Sequence, residues 1–391
     1  MLTEAAPDAI AAPPRNDGDG GGRKVAHLTS VHSRRDTRIF LKQCRTLAGH
    51  GYAVTLVVAD GEGDEVRDGV TIADVGQGAG RLNRIFGTTR RVFHRAVALD
   101  ADIYQLHDPE LIPLGLKLKR MGKKVIFDSH EDLPMQMLGK PYLGRVSRQV
   151  LSTASMLFEN YACARLDGVI AATPGIRDKF LRVNRRTVDI NNYPLPAEFD
   201  AAAPWAGKVP EVCYLGGISA IRGALEMVRA CALLRSNARL VLAGAFSDAA
   251  LQAELAALPG WPRVTAHGQL DRAGVRRVAA RAMAGLVILH PVAGYMDSQP
   301  IKLFEYMAAG IPVIASHFPG FRQIVEGSGC GVCVDPLDPG AIAAAIDAMV
   351  LYPERARAMG ENGRKAVLER YNWAAQAIKL TDFYGVISHA R

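Results

Sequence analysis

"DSQPIKLFEYMAAGIPVIAS", residues 297–316, joins a short helical pattern to a short strand. The apolar residues between Ile301 and Ala309 recur at helical spacing, and the run after Gly310 is short and rich in β-branched residues. Pro300 fits the first helical position, where a missing N–H costs nothing, and Gly310 fits the residue that follows a helix. A helix that leads directly into a buried strand is the repeating unit of a parallel α/β sheet.

The same alternation of helix-like and strand-like segments extends over most of the chain. It is interrupted at residues 191–211, where four prolines occur, and we predict an interdomain linker there. The remaining chain then forms an α/β protein with two doubly wound parallel-sheet domains. The predicted strands lie within residues 24–30, 53–60, 101–108, 124–132 and 167–174 before the linker, and within 212–217, 239–244, 263–268, 285–290, 311–316 and 331–336 after it.

Four segments follow from this pattern. Residues 1–22 are mainly Ala, Pro, Asp and Gly, which cannot form a packed core, so we predict a disordered tail rather than a secretory signal. Residues 23–200 and 201–370 are the two predicted Rossmann-like domains. Residues 371–391 are a final amphipathic helix, for which a return to the first domain is one option.

The composition excludes several classes of protein. No apolar run reaches the roughly 18–20 residues that a membrane-spanning helix needs. Six cysteines are scattered along the chain, which favours a reducing cytoplasm over a disulfide framework. Cys330 and Cys333 have metal-like spacing but no second pair follows them, so we predict that they pack in a strand and that the protein has no metal site.

The net charge of +8 includes one strongly basic segment, residues 81–99, which contains five arginines and no acidic residue. Apolar residues such as Phe86 and Phe93 are interspersed with these arginines. This pattern is typical of a helix that lies on an anionic membrane, and equally of a solvated basic helix face. No aromatic-interleaved basic strands or recognition motifs occur, so we predict no nucleic-acid partner.

The helix of the opening stretch is a candidate anion site. The first N–H groups of a helix, here those of Ile301, Lys302 and Leu303, together with the helix dipole favour a phosphate. Lys302 adds a positive charge, and Glu305, one turn deeper, could accept hydrogen bonds from the vicinal hydroxyls of a ribose. The alternative is a Lys302–Glu305 pair on an exposed helix, worth roughly 0.2–0.5 kcal/mol.

A second candidate lies in "YLGGISAIRGALEMV", residues 214–228. Gly216 and Gly217 end a predicted strand, where glycines allow a ligand to approach the backbone closely. Arg222 could hold a diphosphate through two hydrogen bonds. The alternative is a tight strand–helix turn that carries a surface arginine.

Three predicted strands of the first domain end in loops rich in ionisable residues. Such loops on one edge of a sheet indicate a site for a hydroxyl-bearing molecule. For any single histidine, a helix cap or an ordinary loop residue is the alternative. The loops are "SVHSRRDTR" (30–38), "QLHDPE" (105–110) and "FDSHEDLP" (127–134), and they include His32, Asp36, Arg38, His107, Asp108, His130 and Glu131.

These motifs together resemble the retaining glycosyltransferases of family 4, of the type found in bacterial polysaccharide and glycolipid assembly. The resemblance runs from about Lys24 to the final helix and is most specific at "QPIKLFEYMAAGIPVIAS". It implies the GT-B fold, in which two Rossmann-like domains face a central cleft. The first domain would bind the acceptor, and the second would bind a nucleotide sugar without a metal or another cofactor.

The resemblance also implies roles for individual residues. Glu305 matches the second glutamate of the family's Glu-x7-Glu pair, while the first is replaced by Asp297. One family cation is missing at Gly217, and Lys302 could replace it. The implied catalytic residues are His130, Arg222, Lys302 and Asp297. The implied donor-binding residues are Gly216, Gly217, Ser298, Pro300, Ile301 and Glu305, and the implied acceptor-binding residues are Asp36, Arg38, His107, Asp108 and Glu131.

The implied reaction is glycosyl transfer with retention from a nucleoside diphosphate sugar, with UDP favoured over GDP. The acceptor would be a hydroxyl of a glycan or a lipid-linked molecule, in cell-surface polysaccharide assembly. The enzyme would be cytoplasmic, with residues 81–99 able to hold it on the inner face of the membrane. A nucleotide-sugar epimerase on the same fold and an inactive nucleotide-sugar-binding scaffold are the alternatives.

Overall fold

The computed structural model describes residues 22–78, 80, 83–139, 144–199 and 205–389. The predicted disordered tail lies outside these residues apart from Gly22, as does the start of the basic segment at residues 81–82. The chain divides into two compact units. The first contains Met1–Pro134, Val150–Ile190 and Ala377–Arg391, and the second contains Met135–Gln149 and Asn191–Gln376.

The first unit is built on an eight-stranded sheet with the order β3-β4-β2-β1-β5-β6-β7-β8. Every described strand pair in it is parallel except β3–β4, which is an antiparallel edge hairpin. The strands are β1 Lys24–Leu28, β2 Ala53–Val58, β3 Glu65–Arg67, β4 Val70–Asp74, β5 Ile103–Leu106, β6 Lys124–Ser129, β7 Gly168–Ala171 and β8 Thr187–Asp189.

Helices connect the parallel strands of this unit. Helix α1 starts as a π-helical segment, Thr37–Cys44, and continues as Arg45–Gly49, and α2 likewise combines Asn83–Thr88 with Thr89–Leu99. The others are α3 Ile112–Arg120, α4 Leu133–Leu138, α5 Arg145–Cys163 and α6 Pro174–Leu181. Of these, α4 belongs to this unit only up to Pro134, and α5 only from Val150 onward. The last helix of the chain, Trp373–His389, belongs to this unit from Ala377 onward.

Helices α2, α3, α5 and α6 cover one face of this sheet, because their buried residues form one apolar cluster with alternate residues of the strands. On β5 these are Tyr104 and Leu106, and on β6 they are Val125 and Phe127. The intervening strand residues point to the other face. This arrangement places the loops after β1, β5 and β6 at one edge of the sheet.

The second unit is built on a six-stranded sheet with the order β11-β10-β9-β12-β13-β14, and all its described pairs are parallel. Apolar clusters cover both faces of this sheet. Tyr193 and Phe199, which precede the first strand, are buried in one of these clusters. The strands are β9 Glu211–Leu215, β10 Arg239–Ala243, β11 Val264–Gly268, β12 Ala284–Val287, β13 Val313–Ser316 and β14 Gly331–Val334.

The helices of the second unit alternate with these strands. Several begin at an aspartate whose side chain accepts a hydrogen bond from the first turn, as Asp248, Asp271 and Asp338 do. None of the described helices in either unit is both long and apolar enough to cross a bilayer. The helices are α7 Ala224–Cys231, α8 Ala249–Ala256, α9 Arg272–Arg281, α10 Ala293–Met296, α11 Ile301–Ala308, α12 Pro319–Val325, α13 Pro339–Leu351 and α14 Pro353–Glu369. The last helix, α15 Trp373–His389, starts in this unit and continues in the first unit from Ala377.

Candidate functional site

The loop after β9 is shaped by glycines. Gly216 has a φ of 113° and Gly223, just before α7, has a φ of 71°, a region that favours glycine. A Cβ on Gly223 would also collide with the carbonyl of Ile288. A Cβ on Gly216 would lie 3.3 Å from Nζ of Lys302, and one on Gly217 would lie 2.8 Å from Nη1 of Arg222. The glycine pair therefore leaves its backbone open beside two cations.

Arg222 lies at the end of a 3₁₀ turn, Ala220–Arg222. Its Nη1 donates a hydrogen bond to the carbonyl of Gly217 at 3.2 Å, and its Nε donates one to the hydroxyl of Tyr295 at 3.3 Å. Both bonds are long and both acceptors are neutral, so no described anion balances this guanidinium through a hydrogen bond. Tyr295, from the short helix α10, was not among the residues predicted for the site.

Lys302 is the most unusual cation of the second unit. Its Nζ is shielded from solvent and makes no hydrogen bond with any described residue, although the side chain as a whole is partly exposed. The ammonium lies 3.6 Å from the centre of the Tyr214 ring, a cation–π contact. Burial, and to a lesser extent the charge of Arg222, lowers the pKa of Lys302 to about 7. An anion bound here would supply the missing partner.

The start of α11 differs by one residue from the prediction. Pro300 is the N-cap and not the first helical residue, because its ψ of 129° is extended, and the helix begins at Ile301. The N–H of Leu303 donates to the carbonyl of Pro300 at 3.0 Å. The prediction that the N–H of Leu303 is free to bind an anion is therefore wrong. The N–H groups of Ile301 and Lys302 have no partner within a regular helix.

The residues just before α11 form a short turn after α10. The hydroxyl of Ser298 donates to the carbonyl of Tyr295 at 2.8 Å. Asp297 is exposed and follows the last residue of α10. These positions bring Asp297, Ser298 and the N-terminus of α11 into one segment of the second unit.

Glu305 is buried and does not form the exposed pair with Lys302 that was the alternative prediction. Its Oε1 accepts a hydrogen bond from Nη1 of Arg272 at 2.8 Å, and Arg272 also pairs with Glu198. Arg272 is the first residue of α9 and was missed by the sequence analysis. Nothing in the local sequence of Arg272 indicates a partner 33 residues away.

In the first unit, the three polar loops meet around Asp128, which the sequence analysis did not single out as their centre. Its Oδ1 accepts from Nη2 of Arg38 at 2.6 Å, and its Oδ2 lies 3.2 Å from a ring nitrogen of both His107 and His130. Gln43 donates to the same carboxylate at 2.8 Å. Burial alone would raise the pKa of Asp128, but Arg38 and the two histidines hold it well below its usual value.

The histidines of this cluster are oriented by their neighbours. Nε2 of His107 lies 2.9 Å from Nδ1 of His27, and burial lowers the pKa of His107, partly offset by Asp128. His130 is partly exposed, whereas His107 is buried. The ligand atoms of His107, Asp128 and His130 are close enough together to share a metal ion. Because Arg38 and Gln43 already occupy the carboxylate, we interpret the group as a hydrogen-bond network.

The other predicted acceptor residues are held by local contacts. Asp36 caps α1, accepting from the N–H groups of Arg38 and Ile39 at 2.8 and 2.9 Å. Asp108 is buried and accepts from the N–H of Ser30 at 2.6 Å. Arg38 also donates to the carbonyl of Ile190 at 2.6 Å, so that each of its three guanidinium nitrogens donates a hydrogen bond. Glu131 is exposed.

Two family models match the chain. Residues 37–195 match the "Glycosyl transferase 4-like domain". Residues 197–366 match "Glycosyl transferases group 1". The two matches meet at the segment that the sequence analysis predicts as a linker, and together they include every candidate residue except Asp36.

Known proteins of several activities are similar to this chain. A D-inositol 3-phosphate glycosyltransferase of Xylanimonas cellulosilytica is 29% identical over 52% of this chain and 51% of its own length. Among solved structures, a sucrose-phosphate synthase of Thermosynechococcus elongatus has a TM-score of 0.75 at 20% identity, covering 93% of this chain and 99% of its own. The HepE protein of Anabaena, in complex with UDP and glucose, has a TM-score of 0.73 at 14% identity, covering 93% and 100%.

The chain thus matches about half the length of the first of these relatives and nearly the whole of both structures. The structural similarity establishes the fold, and the two family models establish the family. The chain belongs to the group 1 glycosyltransferases of the family 4 type, and it has the GT-B fold with two parallel-sheet α/β domains.

Proposed function

We propose that the protein transfers a hexose, with retention and without a metal, from a nucleoside diphosphate sugar to a hydroxyl of a glycan or lipid-linked acceptor. The observation that carries this proposal is the buried ammonium of Lys302. It lies next to Gly216 and near the start of α11, and it has no hydrogen-bond partner among the described residues. A diphosphate would supply negative charge to Lys302 and Arg222 together. Two cations and a helix N-terminus can stabilise a leaving diphosphate in the absence of magnesium.

Uridine is the proposed base. The HepE structure, which shares this fold, contains UDP, and the same fold in this chain supports a similar donor. Glu305 would accept hydrogen bonds from the ribose hydroxyls, with Arg272 holding its carboxylate in position. Asp297 would contact the donor sugar, and Ser298 would lie near the phosphates.

The acceptor is assigned to the first unit. His107, Asp108 and Glu131 lie with His130 at one edge of the sheet, and Asp36 and Arg38 hold this cluster in place. In the proposed reaction the acceptor hydroxyl attacks the face that the diphosphate leaves, and the leaving phosphate takes its proton. We place the reaction in cell-surface polysaccharide assembly at the cytoplasmic face of the membrane. The exposed Phe86 and Arg90 of α2 support contact with anionic lipid.

A ligand screen tests the donor class. We expect UDP-sugars at about 100 times their Kd to stabilise the protein by about 2.7 kcal/mol, which raises its Tm by several degrees. The rise should be the same in EDTA, since protein cations and not a metal hold the diphosphate. At the same concentration, GDP-sugars should raise the Tm less than UDP-sugars. UMP, which lacks the second phosphate, is the matched control. A rise seen only with magnesium, or none with any sugar nucleotide, contradicts the proposal.

Replacing Glu305 tests the ribose contact separately. A hydrogen bond to a charged group contributes about 1.5–3 kcal/mol, so Glu305→Ala should weaken UDP binding by about 10–100-fold in calorimetry. Glu198→Ala is the control, because it removes the other partner of Arg272 and leaves the Glu305 carboxylate in place. An unchanged UDP affinity in Glu305→Ala, or an equal loss in both variants, would refute the ribose role.

A further inference from the structure

Helix α5 is buried on one narrow face. Its buried residues, Ser152, Glu159, Ala162 and Cys163, cluster on one side of the helical wheel. Ala162 and Cys163 pack into the apolar cluster on the sheet of the first unit. The opposite side of an ordinary surface helix would be polar.

The opposite side of α5 is instead apolar. Val150, Leu157 and Tyr161 are spaced seven and four residues apart, share one face, and are each at least half exposed. We call these three residues the α5 stripe. Leu151 and Phe158, next to it, are also exposed. Contiguous exposed apolar surface of this kind on a soluble domain marks a site of interaction.

The charges around the α5 stripe have one sign. Glu159 is the single acidic residue between Arg145 and Arg165, and it is buried in an ion pair with Lys179 at 2.8 Å. The exposed charges on α5 itself and at Arg165 are therefore basic, while the exposed Asp178 of the neighbouring α6 is paired with Arg177. Arg165 stacks over the ring of Tyr161, 3.6 Å from its centre, which places a cation at the end of the stripe.

The same layer of helices carries further exposed cations. Helices α2, α3 and α5 cover one face of the sheet, and Arg90 of α2 and Lys117 of α3 are exposed on that layer. An apolar stripe within a basic surface is complementary to an anionic bilayer, in which lipid tails receive the apolar side chains and headgroups attract the cations. A second copy of α5 packed on the stripe would bring arginines against arginines.

We infer that the α5 stripe is a membrane-docking surface that inserts into the headgroup region of an anionic bilayer. This surface adds an apolar stripe to the basic segment at residues 81–99, which supplies Arg90, so the inference rests on the membrane contact of the proposed function. Its action needs neither donor nor acceptor. Failure of the inference would therefore leave the proposed glycosyl transfer intact.

Vesicle binding by the full chain tests this inference. We expect the wild-type protein to co-sediment with phosphatidylcholine vesicles containing about 30% phosphatidylglycerol, and at least about tenfold less with phosphatidylcholine alone, because the cations require anionic headgroups. The double variant Val150→Gln with Leu157→Gln should reduce binding to the anionic vesicles by about tenfold or more, since two inserting side chains are lost. Both positions are exposed and glutamine suits a helix, so the Tm should change by less than about 2 °C.

The control is Leu351→Gln with Leu368→Gln, two equally exposed apolar positions on helices of the second unit, and it should bind as the wild type does. Lack of wild-type binding to the anionic vesicles overturns the inference. So does undiminished binding by the Val150 and Leu157 variant, which would assign docking to another surface. A wild-type dimer in light scattering that this variant converts to a monomer would identify a second copy as the occupant instead.

Discussion

Arg222→Ala should lower the rate of sugar transfer by about 10²–10³-fold while leaving the protein folded. Among the described residues, the guanidinium of Arg222 hydrogen-bonds only to neutral groups, namely the carbonyl of Gly217 and the hydroxyls of Tyr295 and Tyr214. Its charge is therefore available to a diphosphate. Negative charge on the leaving group grows as the glycosidic bond breaks, so a cation at this position stabilises the transition state more than the bound donor.

The measurement is release of nucleoside diphosphate from the donor that the ligand screen identifies. The loss should appear mainly in kcat, with a smaller change in KM, because the charge of Arg222 acts most strongly in the transition state. Arg229→Ala, an exposed arginine on α7 of the same unit, is the matched control and should retain wild-type activity. If Arg222→Ala keeps activity within about threefold of the wild type, Arg222 has no role in the departure of the leaving group.

The central strands were the predictable part of the fold. Segments such as "VVAD" and "VIAS" are apolar on both faces, and a buried parallel strand requires that composition. The structure confirms a strand within each of the eleven predicted ranges. The edge strands β3 and β8, and β4 next to β3, were not predicted. Strands β3 and β8 are three residues each, too short for a period of two to be recognised, and polar residues interrupt all three strands.

The residues of the candidate site could be predicted only where a local feature of the sequence marks them. Strand ends and helix starts are local features, and they located Gly216, Arg222, Lys302 and His130 before the structure was known. Arg272 and Tyr295 reach their partners through tertiary packing, which no local pattern records. Asp128 did leave a signal, because a carboxylate within the apolar strand run "VIFDS" must be paired when it is buried.

Lys302→Met should make the unliganded protein more stable and weaken its binding of the donor. The ammonium of Lys302 is shielded from water without a hydrogen bond, and a methionine of similar length avoids that desolvation. We expect the free energy of unfolding at pH 7 to rise by about 1–2 kcal/mol, as at other sites where function opposes stability. The affinity for the donor should fall by about 10–100-fold, since a charge-assisted hydrogen bond to phosphate is lost.

The pH dependence identifies the charge as the cause. Folding lowers the pKa of Lys302 to about 7, whereas an unfolded lysine titrates near 10.4. Between these two values the unfolded chain binds one more proton at this residue, so wild-type stability gains up to about 1.4 kcal/mol per pH unit as the pH rises. Lys302→Met lacks this gain. Its advantage over the wild type should be greatest at pH 7 and below, should vanish between about pH 8 and pH 9, and should reverse toward pH 10.

Urea unfolding of both proteins at pH 7, 8 and 9 measures this difference in stability. Calorimetry in buffers of different ionisation enthalpy measures how many protons are taken up when the donor binds. A bound diphosphate raises the pKa of Lys302. In the wild type, Lys302 should therefore take up close to one proton when the donor binds at pH 8, and Lys302→Met should lack this uptake. Lys365→Met, an exposed lysine on α14, should leave both quantities unchanged. A Lys302→Met protein that is less stable than the wild type at pH 7, or that still binds the donor tightly, would mean that Lys302 supports the fold and not the diphosphate.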